Sequence, residues 1–406
     1  MKTNVKIAIL GAGPAGLALA HGLLDRGCRD FVVFEKEEIA GGLCRSADVV
    51  DGSPLDVCGG HFIDVRRPSV TEFIFRFMPE EEWNLFERKT KIRLFGQMVG
   101  NPLEANIWQL DEATQRRYLA DIAAAGCNTG APMPASFVDW IVWKLGRSIA
   151  DDYMLPYNRK LFGDDLDALG TYWLEKLPNV SYEDTLRSCR EHRPFGTQPG
   201  HAVFRYPKKH GSGELWRRMG DALGNRLETS AEVHSLNVEE RSVGLADGTV
   251  ICADIVVNTL PWPSLLELKG LSPKSLDAVA SLRHTGICVE YRPEPFGSDA
   301  HWIYEPNPAL PEHRYLLREN FLPGSRGYWK ETRIERCGSA QGPRFEVPFA
   351  YPLNTIGKNE AVSGLLDECA RSRVFGLGRW GEWQHYNSDL VAEKALDFAD
   401  RLWRES

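Results

Sequence analysis

The sequence has no C-x-x-C pair, no apolar run long enough to span a bilayer, no internal repeat and no low-complexity segment or linker. Its nine cysteines are odd in number and scattered, a pattern that reads as reduced thiols in the cytoplasm and leaves no metal site to expect. Cys44 and Cys58 read as small buried hydrophobes. The missing apolar run excludes a transmembrane helix. Met1-Lys2-Thr3-Asn4 leads straight into the first strand, so no secretion signal is expected and the expected localisation is cytoplasmic. Positive charge is in deficit, with 48 Lys and Arg against 56 Asp and Glu and a formal charge of -8. A nucleic-acid surface is therefore not expected, and any basic site for an anionic ligand must be local. What remains is an ordinary soluble composition, 43% hydrophobic and 26% charged, over 406 residues, too many for one core and enough for two or three lobes.

The informative stretch is residues 7–16, Ile-Ala-Ile-Leu-Gly-Ala-Gly-Pro-Ala-Gly. An apolar run of this kind is a buried parallel strand. Gly11, Gly13 and Gly16 then make the tight turn, admit a pyrophosphate close to the backbone, and let the next helix, expected over residues 17–25, pack on the strand. The N-terminal N–H groups and dipole of that helix suit a diphosphate. A second apolar run, residues 31–34, ends in Glu35, at the distance where an acid binds a ribose hydroxyl. Lys36 follows it, then Gly41-Gly42-Leu43 and, further on, Gly59-Gly60-His61. These pairs of glycines suit backbone passing close to a large flat cofactor. His61 alone also fits a satisfied loop histidine.

Downstream, residues 89–99 alternate as a hairpin around Gly96, and residues 109–125 form an amphipathic helix. Ser136 and Asp139 mark a capping-box start for a helix that carries Phe137, Trp140, Ile141 and Leu145 as a core stripe and ends at Gly146. A short helix over residues 149–154 is expected to stop before Pro156, leaving Tyr157-Asn158-Arg159-Lys160 on a turn. Residues 204–214 read as a strand and Gly-rich turn before a helix over residues 215–223, with Lys208-Lys209-His210 either solvated or at an anion. Residues 231–245, the Asp247-Gly248 turn and residues 251–259 return to the first sheet, so the cofactor domain is discontinuous. Strands near 285–292, 302–304, 314–317 and 344–348 suggest a second, antiparallel sheet. The tail repeats the strand, glycine and helix pattern at Gly376–Arg379, with Asn387 or Ser388 capping a final helix.

These elements resemble the flavoprotein fold of amine oxidases, protoporphyrinogen oxidases and UDP-galactopyranose mutases. Over nearly the whole chain, motif order is similar to the mutases, especially their eukaryotic-type branch. Gly59-Gly60-His61 resembles the family's histidine loop. Residues 137–158 resemble "F-D-E-W-I-V … G-x-x-I-A-D … M-R-P-Y-N", and residues 206–216 resemble "P-A-R-G-G-T-G-G-I-W". Trp302, Tyr304 and Arg314 match a "W-x-Y" strand and an arginine that grips the substrate diphosphate, and residues 378–383 resemble "G-R-F-G-S-W".

The resemblance implies an α/β chain: a Rossmann-like FAD-binding domain with an inserted helical domain and an antiparallel β-sheet substrate domain. The corresponding partition is FAD-binding at 1–88, a sheet-domain hairpin at 89–102, helical substrate domain at 103–180, FAD-binding again at 181–270, the sheet domain at 271–352 and a last FAD-binding part at 353–406. It implies a non-redox pyranose–furanose mutase acting on a UDP- or GDP-linked hexose, in which N5 of reduced FAD attacks the anomeric carbon. His61, Tyr304, Arg314 and Arg379 would serve the reaction. Gly11, Gly13, Pro14, Ala15, Gly16, Glu35, Lys36, Gly42, Leu43, Gly59, Gly60, His61, Val233, Gly378, Arg379, Asn387 and Ser388 would hold the cofactor. Asn101, Glu104, Tyr157, Asn158, Arg159, Trp173, Trp302, Tyr304, Arg314, Tyr386 and Asn387 would meet the substrate. An external reductant, NAD(P)H or a reductase, is implied, and a homo-oligomer is open.

The sequence also departs from the pattern. Leu155 stands where relatives carry a second diphosphate arginine, with Arg159 as a candidate substitute. Asn101 and Glu104 replace the tyrosine and glutamine that meet uracil, and a glutamate suits the N–H edge of guanine. Tyr386 competes with His385 for the tyrosine position of the last loop. An FAD oxidase or dehydrogenase of an amine or another small substrate is the alternative, and a flavin-binding partner protein without turnover is a third reading.

Overall fold

The structure, a computed structural model, describes residues 2–48, 54–64, 66–174, 179–196 and 202–404. The apolar run at the start forms the strand Lys2–Leu10, and helix Pro14–Asp25 follows after a turn of three residues. Strands Leu227–Glu228, Phe31–Phe34, Lys2–Leu10 and Val250–Asn258 lie parallel in that order. Val250–Asn258 then serves two neighbours on its far side. Its first residues pair antiparallel with Ser242–Leu245, and its last residues pair parallel with Val374–Gly376. Leu10 is in register with Phe34 and Asn258, and Asn258 with Gly376. The turns after these strands therefore open along one carboxyl edge, where α/β sheets bind their ligands.

Helix Pro14–Asp25 and the final helix, Ser388–Arg404, cover one face of this sheet around Leu17, Leu19, Ala395 and Phe398. The other face is closed by Trp262, Trp380, Trp383 and Leu365. A second sheet of seven strands runs in the order Arg344–Pro352, His284–Arg292, Tyr328–Arg333, Glu312–Leu316, Trp302–Tyr304, Thr90–Leu94 and Gln97–Gly100. All its pairs are antiparallel except Trp302–Tyr304 with Thr90–Leu94. The hairpin around Phe95-Gly96, both at positive φ, is thus an edge of the second sheet.

The helical segment has its own core, which includes Tyr118, Trp140, Ile141 and Leu155. Asp111 caps Glu112–Ala124 by accepting from Thr114 N–H at 3.0 Å. Ser136 stands at the N-cap of Phe137–Leu145, but its hydroxyl caps nothing and is buried without a partner among the described residues. The expected break at Pro156 is absent. A π turn, Ala150–Met154, runs directly into helix Leu155–Phe162. Proline donates no N–H and crowds the carbonyl four residues back. Widening the preceding turn changes the hydrogen-bond register where Pro156 sits, so the chain stays helical. Residues 157–160 therefore lie on a helix and not on a turn.

Candidate functional site

The carboxyl edge of the first sheet is shaped as a cradle. Helix Pro14–Asp25 starts at Gly13, extended at φ -78°, with no side chain capping its first turn. Uncapped N–H groups at a helix start suit an anion. Glu35, 6% exposed, accepts from Ala12 N–H at 2.9 Å and Glu37 N–H at 3.1 Å, which holds its carboxylate at the turn. Burial pushes that carboxyl up, against the pull of the two amides. Gly42, at φ +53°, lies so near that a Cβ on it would stand 3.0 Å from Gly13 Cα. Leu43 continues the 3-10 turn Gly42–Cys44, and Gly378 brings the last strand-to-helix turn against Ala15. Two backbones with no side chains between them, an uncapped helix start and a fixed acid suit a dinucleotide. Lys36 is exposed, and Val233 is buried in a strand opposite Leu245.

Between this cradle and the second sheet lies a cluster of rings and guanidiniums. Gly59, at φ +76°, would drive a Cβ to 1.9 Å from Glu331 Oε1, so the backbone rests directly on that carboxylate. His61 Nδ1 lies 2.9 Å from the Gly59 carbonyl. A carbonyl only accepts, so Nδ1 carries the proton and Nε2 is free to accept one. Burial, aided by Arg379, lowers the His61 pKa to about 4. Arg379 is held by the Tyr386 and Ala350 carbonyls. Trp302 stacks on Phe62 at 5.1 Å and donates to the Tyr304 hydroxyl at 3.2 Å. Tyr304 pairs across the strand with Arg314, and its ring is 5.1 Å from that of Tyr157.

Arg314 donates through Nε to Glu331 Oε2 at 2.6 Å, with Nη2 also at 2.6 Å and 3.4 Å from the Tyr351 hydroxyl. Glu331 is fully buried. Burial opposes charge on both partners, but each holds the other ionised, Arg314 pushed up and Glu331 pulled down. His313 is 3.5 Å from the same carboxylate.

The structure does not bring all expected substrate residues here. Arg159 is exposed on helix Leu155–Phe162, on the side away from Tyr157, while Leu155 is in the helical core. Asn158 spends its amide on the Met154 carbonyl, and Trp173 donates to the Gly170 carbonyl within the helical core. Tyr386 packs beneath Lys394, whereas His385 stacks on Tyr351 at 5.0 Å. Burial, together with Arg379 and Arg314, lowers the His385 pKa to about 3. Asn387 stands at the exposed start of the final helix, and Ser388 is buried beside it. Asp389, paired with Arg67, leaves Oδ1 buried and without a hydrogen-bond partner among the described residues.

Three residues that the sequence did not single out belong to the cluster: Glu331, Tyr351 and Arg88. Arg88 lies 4.8 Å over the Trp302 ring and donates to the Tyr304 hydroxyl at 3.3 Å. It supplies a second guanidinium near Arg314, from a position unrelated to Leu155.

Comparison with known proteins agrees with this architecture. Residues 9–77 match the model of an NAD(P)-binding Rossmann-like domain. With a TM-score of 0.88 and 23% identity, 99% of the chain is similar to 94% of a reduced UDP-galactopyranose mutase. A CLA-producing fatty acid isomerase from P. acnes matches at TM-score 0.65 and 15% identity over 98% of each chain. A putrescine oxidase bound to putrescine matches at 0.59 and 16% over 99% of each. The chain has the mixed α/β fold of these proteins, with its Rossmann-like domain at the start. No helix among the described residues is long and apolar enough to cross a membrane.

Proposed function

We propose that this chain is a flavin-dependent mutase that interconverts the pyranose and furanose rings of a nucleoside-diphosphate hexose. The observation that carries the reading is the positive field of the cluster. Arg379 acts to lower the pKa of His61 and of His385, and Arg314 does the same, offset at His61 by its partner Glu331, in a chain whose net charge is -8. An uncharged or cationic small substrate gains nothing from such a field, whereas a departing nucleoside diphosphate is stabilised by it.

FAD fits the cradle, with Gly11, Gly13 and Gly16 and the helix start toward its diphosphate, Glu35 toward a ribose, and Gly59, Gly60 and His61 beside the ring. When bound and reduced, by NAD(P)H or a reductase, it supplies a nucleophile for the anomeric carbon. The residues of the chain do the rest. Glu331 fixes the plane of Arg314 on its Nε edge and leaves Nη1 without a partner among the described residues, free for a phosphoryl oxygen. The Tyr304 hydroxyl accepts from Arg88 and Trp302, so its own hydrogen is left to donate to the substrate. His61 presents an unprotonated Nε2 at neutral pH. Phe62 and Trp302 wall the site from water.

The test is to incubate dithionite-reduced, flavin-loaded protein with UDP- and GDP-hexoses and follow ring size by chromatography. Ring interconversion that requires reduction is the expected result. Bleaching of oxidised flavin by an amine, with peroxide on exposure to air and no ring interconversion, would replace the mutase with an oxidase.

A further inference from the structure

One face of the second sheet holds two thiols brought together from distant parts of the chain. On strand His284–Arg292, Ile287 and Val289 point into a core shared with Phe321 and Trp329. Side chains alternate in direction along a strand, so Cys288 and Glu290 point the other way. Cys288 stands in one row with Thr332 on one neighbouring strand and Glu346 on the other, and Glu290 stands opposite Arg344. Cys288 is nonetheless only 1% exposed. Its cover is the chain that follows Thr332. The 3-10 turn Ile334–Arg336 packs on both His284–Arg292 and Arg344–Pro352, and Cys337 is the next residue.

Arg344 ties this cover to the sheet. Its Nη2 donates to Glu346 Oε1 at 2.5 Å, and its Nη1 donates to Cys337 Sγ at 3.3 Å and to the Gly338 carbonyl at 2.6 Å. Side chains directly opposite in a sheet have Cβ atoms about 4.5–5.5 Å apart, so Glu346 lies beside Cys288. One guanidinium therefore spans the neighbour of Cys288 and the sulfur of Cys337. The two thiols are close enough to share a hydrogen bond, and both are free. Cys337 is half-buried, whereas burial pushes the Cys288 thiol up and keeps it protonated. An oxidant arriving from solvent meets Cys337 first, with Cys288 directly behind it.

We propose that Cys288 and Cys337 form a redox-responsive pair that closes to a disulfide when the protein meets a hydroperoxide. The Cys337 thiolate attacks a peroxide oxygen, the O–O bond breaks, and hydroxide or alkoxide leaves and takes a proton from water. Cys337 is then a sulfenic acid. The Cys288 sulfur attacks that sulfenic sulfur, the S–O bond breaks, and the oxygen leaves as water with the Cys288 proton. The two thiols lose two electrons and the hydroperoxide gains them. The new bond pins the turn Ile334–Arg336, and with it the end of the strand that carries Glu331, to His284–Arg292. Neither flavin nor nucleotide sugar enters these steps, so the pair stands or falls apart from the function proposed above.

The experiment exposes the fully reduced, full-length chain to increasing hydrogen peroxide, alkylates the remaining thiols, and maps cross-links by mass spectrometry of unreduced digests. The expected first product is a Cys288–Cys337 cross-link, lighter by two hydrogens and reversed by dithiothreitol, with the other seven of the nine cysteines still alkylated. Amide hydrogen exchange over residues 334–338 should slow on oxidation. In Cys288→Ser, Cys337 should stop at a sulfenic acid captured by dimedone. In Cys337→Ser, Cys288 should remain a thiol that alkylates once the chain is denatured. A different pair cross-linking first overturns the proposal. So does Cys337 passing to a sulfinic acid while Cys288 stays free, or Cys337 left unoxidised throughout. If a variant fails to fold, the wild-type map still decides.

Discussion

Arg314 presents a fork whose one edge is already occupied by Glu331. Arg314→Lys keeps a charge but loses the geometry that Glu331 fixes. Its kcat/KM should fall at least about tenfold while flavin content, read from absorbance of the purified protein, is unchanged. Equal loss of both would assign Arg314 to the fold. Glu331→Gln is the harsher change, because it strips a guanidinium that is only 21% exposed of its fully buried counter-charge. Removing one partner of a wholly buried pair costs about 3–5 kcal/mol, and urea denaturation should show a loss below that range. Arg314 was singled out by the resemblance, through its place after Trp302 and Tyr304, and it lies beside Glu331. Glu331 was not: its strand, Tyr328–Arg333, alternates Lys330, Glu331 and Arg333 without an apolar face, and only tertiary packing makes it a buried strand. Arg88 was hidden in the same way, in a polar run between two strands.

At the scale of elements, the strands, glycine turns and most helices of the first sheet followed from apolar runs and punctuation. The π turn at Ala150–Met154 did not, since the rule that a helix ends before proline has no provision for a widened turn. That turn carries the helix through Pro156, so Tyr157 sits on helix Leu155–Phe162 with its ring against those of Tyr153 and Tyr304. The loop at Gly59 is equally exacting. Gly59→Ala adds a methyl at a positive φ and against Glu331 Oε1. A loss of about 1–3 kcal/mol is expected in thermal denaturation, together with a fall in turnover greater than the loss of folded protein explains.

Across the whole molecule, acid sensitivity should come first from histidines. The pKa values of His61 and His301 are lowered to about 4, and that of His385 to about 3, each mainly by burial. In the unfolded chain they titrate near 6.5. Below about pH 6.5 the unfolded state therefore takes up protons that the native state refuses, and stability falls by up to about 1.4 kcal/mol per pH unit for each histidine. Glu331, with its pKa lowered, adds a loss that begins only below about pH 4.3. Urea midpoints should be level from pH 8 to 7 and decline from about 6.5, and His301→Gln should reduce that slope.

The strand Val250–Asn258 has a consequence for synthesis. Lys2 finds its register partner at Val250, and the strand Val374–Gly376 that completes the edge emerges later still. On the ribosome, the nascent glycine turn is thus exported long before the strands that shape its pocket, with one edge of its first strand unpaired. Loading of a flavin at this edge should therefore be late and largely post-translational. Nascent fragments released before residue 374 should retain no flavin on gel filtration, while the released full-length chain should.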